Sequence, residues 1–142
     1  QLPHLYVCGT AFEERKAFIK KLDCTAYLPE TIDEEWLQQT GSIIKEKGKA
    51  VIAIGGSKQT ALTLRTIMAK AVAAIVAKEN IKEIFIEGGS TAAAVLEELN
   101  IKKLIPVNEL SRGVVRMKAG DLFITVKPGS YQLPEEILKL YS

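Results

Sequence analysis

The chain has 142 residues, of which 47% are hydrophobic and 25% charged, so we expect one soluble globular domain rather than a disordered segment. Nineteen basic residues are offset by 17 acidic ones, and the net charge of +2 does not predict nucleic-acid binding. The longest apolar run, Ala71–Ala77, is far shorter than the roughly twenty residues of a membrane span, so no membrane partner is expected.

Cysteine and histidine are scarce. Cys8 and Cys24 are too few for a disulfide scaffold and predict a reduced, cytoplasmic protein. His4, the single histidine, is expected in an N-terminal tail, which argues against a histidine metal site or a Ser-His-Asp triad. A carboxylate site for magnesium stays open. The N-terminus shows no signal-peptide pattern. Because the chain begins at Gln1 rather than Met, we expect a processed chain or an excised piece.

The predicted elements alternate between short apolar strands and helices. Thr31 with Glu34 predicts a capping box for the second helix, Gly41 weakens its middle, and Gly48 ends it. Strands are predicted at 5–8, 26–28, 50–54, 83–86, 103–107, 114–117 and 122–126, and helices at 13–22, 31–48, 60–78, 92–99 and 134–140. This order predicts a single α/β domain over 1–142, a three-layer sandwich. Its sheet is mostly parallel, with helices on both faces and an antiparallel edge hairpin near the C-terminus.

The helix predicted at 60–78 is apolar nearly all round. Arg65 and Lys70 are its only interior charges. One interpretation is an Ala-rich helix packed on the sheet. The other is a helix that a second domain, or another copy of the chain in a homodimer, also covers.

Three predicted strands end in small-residue turns that open helices: Gly9-Thr10, Gly55-Gly56-Ser57 and Gly88-Gly89-Ser90-Thr91. Ligands of open parallel sheets bind beyond the carboxyl ends of the strands, so these turns share one edge. Glycine lets a phosphate approach the backbone, and a helix N-terminus favours an anion. The alternative is that glycine merely ends each strand. Neither the P-loop nor the dinucleotide fingerprint occurs.

Other polar residues have two interpretations each. Pro128-Gly129 forms either an anion-binding nest, with Lys127 adding charge, or a type II turn that ends the sheet. Glu87 has a ligand-binding interpretation, in which it contacts a magnesium ion or a ribose, and a structural one, in which it forms an ion pair within the protein. The structural role is favoured. Arg112 either faces a phosphate or is solvated.

Three segments resemble motifs of the four-carbon acid sugar kinase family. Glu87–Leu96 is similar to E-G-G-[DS]-T-[AS]-x-A-V-L, Ser111–Arg116 to a later P-G-[VI] segment, and Lys127–Tyr131 to a closing K-[PS]-G-x-[YF] motif. Their order and separation agree with the family over about 81–137. Two departures are that Ser90 stands where many members carry Asp, and that the first turn is Gly-Thr-Ala rather than Gly-Ser.

The resemblance implies a function. Members are cytoplasmic kinases that phosphorylate acids such as threonate and erythronate. Their N-terminal half binds the acid and supplies the catalytic base, and their C-terminal half binds ATP with Mg²⁺. By this resemblance the chain is the ATP-binding half, has no catalytic residue, is inactive alone and lacks its N-terminal partner domain. The implied nucleotide contacts are Gly9, Thr10, Gly88, Gly89, Ser90, Thr91 and Gly129. Gly113 would help to shape the site, and the metal ligands stay unknown.

Two other function classes remain open. Glu-Gly-Gly before a helix also occurs in the reductase domain of riboflavin biosynthesis, where the turn faces the NADPH phosphates. The later strands and Lys127–Tyr131 fit that domain poorly. The other class is a non-catalytic interaction or regulatory domain that uses the helix at 60–78 as its interface.

Overall fold

The computed structural model describes residues 1–142 and contains seven strands and five helices. The strands are β1 (His4–Cys8), β2 (Thr25–Tyr27), β3 (Lys49–Ala53), β4 (Glu83–Glu87), β5 (Ile105–Ser111), β6 (Val114–Ala119) and β7 (Leu122–Lys127). The helices are α1 (Glu13–Lys20), α2 (Glu34–Lys47), α3 (Ala61–Glu79), α4 (Gly89–Glu98) and α5 (Glu135–Tyr141).

All strands join one sheet in the order β2-β3-β1-β4-β7-β6-β5. The five strands from β2 to β7 in this order run parallel, and β6 is antiparallel to both β7 and β5. The predicted α/β class, with its mostly parallel sheet and antiparallel edge hairpin, is confirmed. The antiparallel part also includes β5, which is the outermost strand of that edge.

Strand β1 shows why the fold has three layers. Successive side chains of a strand point to opposite faces of the sheet. Leu5 and Val7 join a core cluster with residues of α2, α3 and α4, whereas Tyr6 and Cys8 join a cluster with residues of α1 and α5. Both sheet faces are therefore covered, which explains the uninterrupted apolar run of this central strand.

Helix ends follow the local sequence with one correction. The predicted capping box of Thr31 and Glu34 is wrong, because the Asp33 side chain accepts the Trp36 N–H at 2.8 Å and α2 begins only at Glu34. Gly48 ends α2 in the left-handed region, at φ 73°, as predicted. Thr60 caps α3 by accepting the Thr63 N–H at 3.2 Å.

Two further positions differ from prediction. His4 does not lie in a tail: it is the first residue of β1 and is buried. Strand β5 begins at Ile105 and continues to Ser111, beyond the predicted end at Val107, because β6 pairs with it. Its residues are mostly exposed at the sheet edge, so no burial pattern marks the strand in the sequence.

Helix α3 packs between α2 and α4 and shares a core cluster with residues of the sheet. Its middle is buried through Met68, Val72 and Ile75, while Leu62 in its first turn is 66% exposed. This packing agrees with an Ala-rich helix on a sheet and leaves the first turn uncovered. None of the five helices combines the length and the apolarity that a membrane crossing requires.

Candidate functional site

A cleft of about 750 Å³ opens beyond the carboxyl ends of the parallel strands. The turns after β1, β3, β4 and β7 line it, together with the first turns of α3 and α4. All seven predicted nucleotide contacts are among its lining residues: Gly9, Thr10, Gly88, Gly89, Ser90, Thr91 and Gly129. The topology therefore brings the predicted residues together, and their contact with a nucleotide stays a prediction.

The turns that line the cleft are joined to one another through the backbone. The Gly9 N–H donates to the Glu87 carbonyl at 2.9 Å, and the Gly88 N–H donates to the Lys127 carbonyl at 2.9 Å. A Cβ on Gly9 would overlap the Thr91 side chain. Gly88 has φ +111°, a conformation that side-chain-bearing residues rarely adopt. The close approach of β1, β4 and β7 therefore depends on glycine at both positions.

The N-terminus of α4 is suited to an anion. The helix begins at Gly89, and no side chain caps it. The first N–H groups of a helix have no acceptor within the helix, and the positive end of its dipole lies beside them. Gly89 and Ser90 both line the cleft, so these donors are available to a ligand there.

A buried cluster of charges lies beneath the turns, centred on Glu87. Its carboxylate accepts hydrogen bonds from Arg15 Nε at 2.8 Å and from the Tyr6 hydroxyl at 2.6 Å. Lys127 Nζ lies 2.9 Å from Oε2 of the same carboxylate. Two cations thus share one anion, and the cluster carries a net positive charge. The structural role favoured for Glu87 is confirmed by these contacts.

Lys127 points inward and not into the cleft. Besides Glu87, its ammonium donates to the carbonyls of Pro128 at 2.7 Å and Gly129 at 3.3 Å. An ammonium has three donors, so the side chain is fully satisfied within the protein. It acts on the cleft by fixing the Pro128-Gly129 turn, and it does not supply the direct charge that one of the two sequence interpretations assigned to it.

The other members of the cluster stay neutral. Burial, reinforced by Cys8 and Glu87, raises the pKa of Tyr6 far above its ordinary value. Burial together with the Glu87 carboxylate raises the pKa of the Cys8 thiol to about 12. Tyr6 therefore remains a hydrogen-bond donor, and Cys8 does not form the thiolate that nucleophilic chemistry needs.

Two motif segments meet beside the cleft. Gly113 connects β5 and β6, and a Cβ there would overlap the ring of Tyr131. Tyr131 follows the Pro128-Gly129 turn, so Gly113 supports that turn from outside the cleft. Arg112 is exposed and does not line the cleft. Arg116 is also remote, because it pairs with Glu83 at 2.6 Å and 3.0 Å at the opposite end of β4.

Several side chains that line the cleft were missed by sequence reasoning, and the largest or charged ones include Phe12, Lys16 and Arg65. A signal for Arg65 is present in the sequence, because a charge inside an apolar helix near its N-terminus is unusual. Nothing in the sequence pattern distinguishes Phe12 or Lys16 from ordinary surface residues of α1 and its preceding turn.

A smaller cleft of about 410 Å³ adjoins the first between α1 and the end of β3. Thr10, Lys16 and Gly55-Gly56 line both clefts, whereas Ala17 and Tyr27 belong to the smaller one. The two form a continuous surface. No group of three or more His, Cys, Asp or Glu side chains is arranged to hold a metal ion.

The sequence matches a family model described as a nucleotide-binding C-terminal domain over residues 13–131. This match spans most of the chain and confirms the resemblance drawn from the three motifs. No curated protein matches the chain.

Solved structures share the fold. A domain of unknown function (DUF1537) from Bordetella bronchiseptica, a domain-swapped dimer with bound citrate, is 17% identical with a TM-score of 0.74. The match covers 97% of this chain and 40% of that one. Haemophilus influenzae protein HI1011, of the same family, is 16% identical with a TM-score of 0.72, covering 96% and 39%. A Salmonella typhimurium LT2 protein proposed to be a tRNA synthase is 13% identical with a TM-score of 0.71, covering 98% and 40%.

Proposed function

Because the chain belongs to the family of nucleotide-binding C-terminal domains, we propose that it is the ATP-binding half of a kinase for a four-carbon sugar acid of the threonate or erythronate type. The observation that carries this proposal is the assembly of four strand-end turns around one cleft above a buried, net positive cluster. Such a site suits a polyphosphate, whose charge meets backbone N–H groups and a positive potential.

The chain's own residues bind and position the nucleotide. The N–H groups at the start of α4 and the turn at Gly129 hold the phosphates, and the Ser90 hydroxyl adds a donor. The nucleobase of the bound nucleotide occupies the adjoining cleft between α1 and β3, where Tyr27 supplies apolar surface. Phosphoryl transfer depends mainly on such positioning and on stabilisation of charge.

The sugar acid and the catalytic base belong to a separate N-terminal domain in this proposal. The chain spans about 40% of the length of the solved structures that share its fold, which leaves room for such a domain in proteins of that size. The isolated chain is accordingly expected to bind nucleotide and to transfer no phosphate. We also place it in the cytoplasm, in agreement with two buried cysteines that form no disulfide.

A homodimer is part of the same proposal. The Bordetella relative is a domain-swapped dimer, and the uncovered first turn of α3 offers apolar surface for a second copy. Sedimentation equilibrium measures this directly, and a monomer at all concentrations would contradict it.

Calorimetric titration of the folded chain with ATP, ADP and NADPH tests the nucleotide assignment. We expect ATP and ADP to bind and NADPH to bind far more weakly. Preferential binding of NADPH would favour the reductase class, and the absence of any binding at millimolar nucleotide would favour an interaction domain. The kinase assignment is tested with a full-length relative, which should phosphorylate threonate; analysis of the reaction product measures this.

A further inference from the structure

The charges that line the cleft are of one sign. Among its 17 lining residues are two cations, Lys16 and Arg65, and no acidic residue. Arg65 is half-buried on the second turn of α3 and forms no ion pair. Lys16 Nζ lies 3.8 Å from the exposed carboxylate of Glu13, a pairing that contributes little. Both cations are therefore available to an anionic ligand.

Carboxylates near the cleft are not placed to hold a metal ion in it. Glu87 is fully buried, and its oxygens accept from Arg15, Tyr6 and Lys127. Glu13 lines the adjoining cleft instead. The remaining side-chain oxygens are hydroxyls, such as that of Ser90, and Mg²⁺ in proteins is usually bound through one or two carboxylates. The donor set of the cleft does not fit a magnesium ion held by this chain.

Building on the proposed function, we infer that Arg65 and Lys16 neutralise the nucleotide phosphates, and that this chain supplies no carboxylate ligand for magnesium. Arg65 is the stronger of the two, because a guanidinium presents a rigid fork of donors that matches phosphate oxygens. The buried cluster acts in the same direction, since its net charge is positive. The cleft is thus expected to bind ADP or ATP without requiring a divalent cation.

The test is titration of ADP into the folded chain, once with EDTA and once with Mg²⁺. We expect the wild type to bind ADP in EDTA at least as tightly as in Mg²⁺. Arg65→Ala is expected to weaken binding in EDTA by about tenfold or more, with Arg65→Gln as a second variant. Lys70→Ala is the matched control, because Lys70 is exposed on the same helix and outside the cleft. Lys16→Ala should lower the affinity several-fold, and Lys21→Ala should not.

Three outcomes would overturn the inference. Binding that disappears in EDTA would show that a divalent cation is required. Unchanged affinity in both folded Arg65 variants would remove that residue from the site, while the proposed function would stand because the wild type binds. A folded wild type that binds no nucleotide under either condition would overturn the proposed function and the inference together.

Discussion

Lys127 Nζ lies 2.9 Å from the Glu87 carboxylate, and neither side chain has any exposed surface. Arg15 contacts the same carboxylate at 2.8 Å, so the three groups form two buried pairs around one anion. Breaking a buried pair costs most where a charge is left without a partner. The arrangement is therefore asymmetric: loss of Glu87 leaves two cations facing each other, and loss of Lys127 leaves one matched pair.

This asymmetry predicts the order of two substitutions. Glu87→Gln should lower the free energy of unfolding by about 3–5 kcal/mol. Lys127→Met should lower it by about 1–3 kcal/mol, since Arg15 still neutralises Glu87. Urea unfolding of both variants measures the difference, and equal or reversed effects would contradict the arrangement. Lys127→Met should also weaken nucleotide binding, because it releases the Pro128-Gly129 turn and removes the net positive charge.

Gly89→Ala should affect stability and binding in opposite directions. Gly89 is the first residue of α4, and a Cβ there meets no protein atom within 4 Å. Replacing a compatible glycine by alanine stabilises a protein by about 0.4–1 kcal/mol. The added methyl group would nevertheless project near the N–H donors that hold the phosphates, so ADP affinity should fall. Thermal melts and ADP titrations check the two effects.

Gly56→Ala is the control for this variant. Gly56 lines the same cleft, and a Cβ there also meets nothing within 4 Å, but it lies on the turn after β3. If the phosphates bind at α4, Gly56→Ala should lower the affinity for ADP less than Gly89→Ala does. A larger loss for Gly56→Ala than for Gly89→Ala would place the phosphates at the β3 turn.

Gly9→Ala should disturb both the fold and the cleft. Its Cβ would overlap the Thr91 side chain and lie 3.0 Å from the Glu87 carbonyl oxygen. Such overpacking costs about 1–3 kcal/mol and would push the start of α4 away from β1. Adding Thr91→Ala should recover part of the loss by removing the Oγ1 atom. A Gly9→Ala variant as stable as the wild type would contradict the close packing of Gly9 against Thr91.

The burial of His4 predicts that the protein is less stable in mild acid than at neutral pH. Burial lowers its pKa from 6.5 to about 4. Between these values the unfolded chain binds the proton and the folded chain does not, so the free energy of unfolding falls as the pH drops from about 6.5 towards 4. The difference between 6.5 and about 4 corresponds to about 3 kcal/mol at most.

Urea unfolding at pH 7 and pH 5 checks this prediction, in a range where carboxylates stay ionised. His4→Gln should flatten the dependence because it removes the titrating group. A slope that persists unchanged in the variant would assign the effect to another residue.

The sheet and the location of the cleft were predictable because they follow from local patterns. Central strands such as Ala50–Ile54 are apolar on both faces, and glycine turns after parallel strands must share one edge. The direction of Lys127 was not predictable. Lysine is almost never fully buried unless it is paired, and its partner Glu87 is distant in sequence.

Gly41 shows the same limit in a helix. Its low helix propensity is evident from the sequence, but its packing role is not. A Cβ on Gly41 would lie 2.7 Å from Oε2 of Glu79, which belongs to α3 and is buried against α2. Contacts between separate helices leave no periodic pattern in the sequence. The local sequence therefore indicates only that Gly41 lowers the helix propensity of α2.

The cluster around Glu87 also constrains when the site can form during synthesis. Arg15 precedes Glu87 by 72 residues, and Lys127 is the last residue of β7. Ribosomes make the chain from its N-terminus at about 5–20 residues per second. When β4 has just emerged from the ribosome, Arg15 is therefore the only one of the two cations that is available to pair with Glu87. The cleft is complete only after β7 has left the exit tunnel and inserted between β4 and β6, so nucleotide can assist folding only at this last stage.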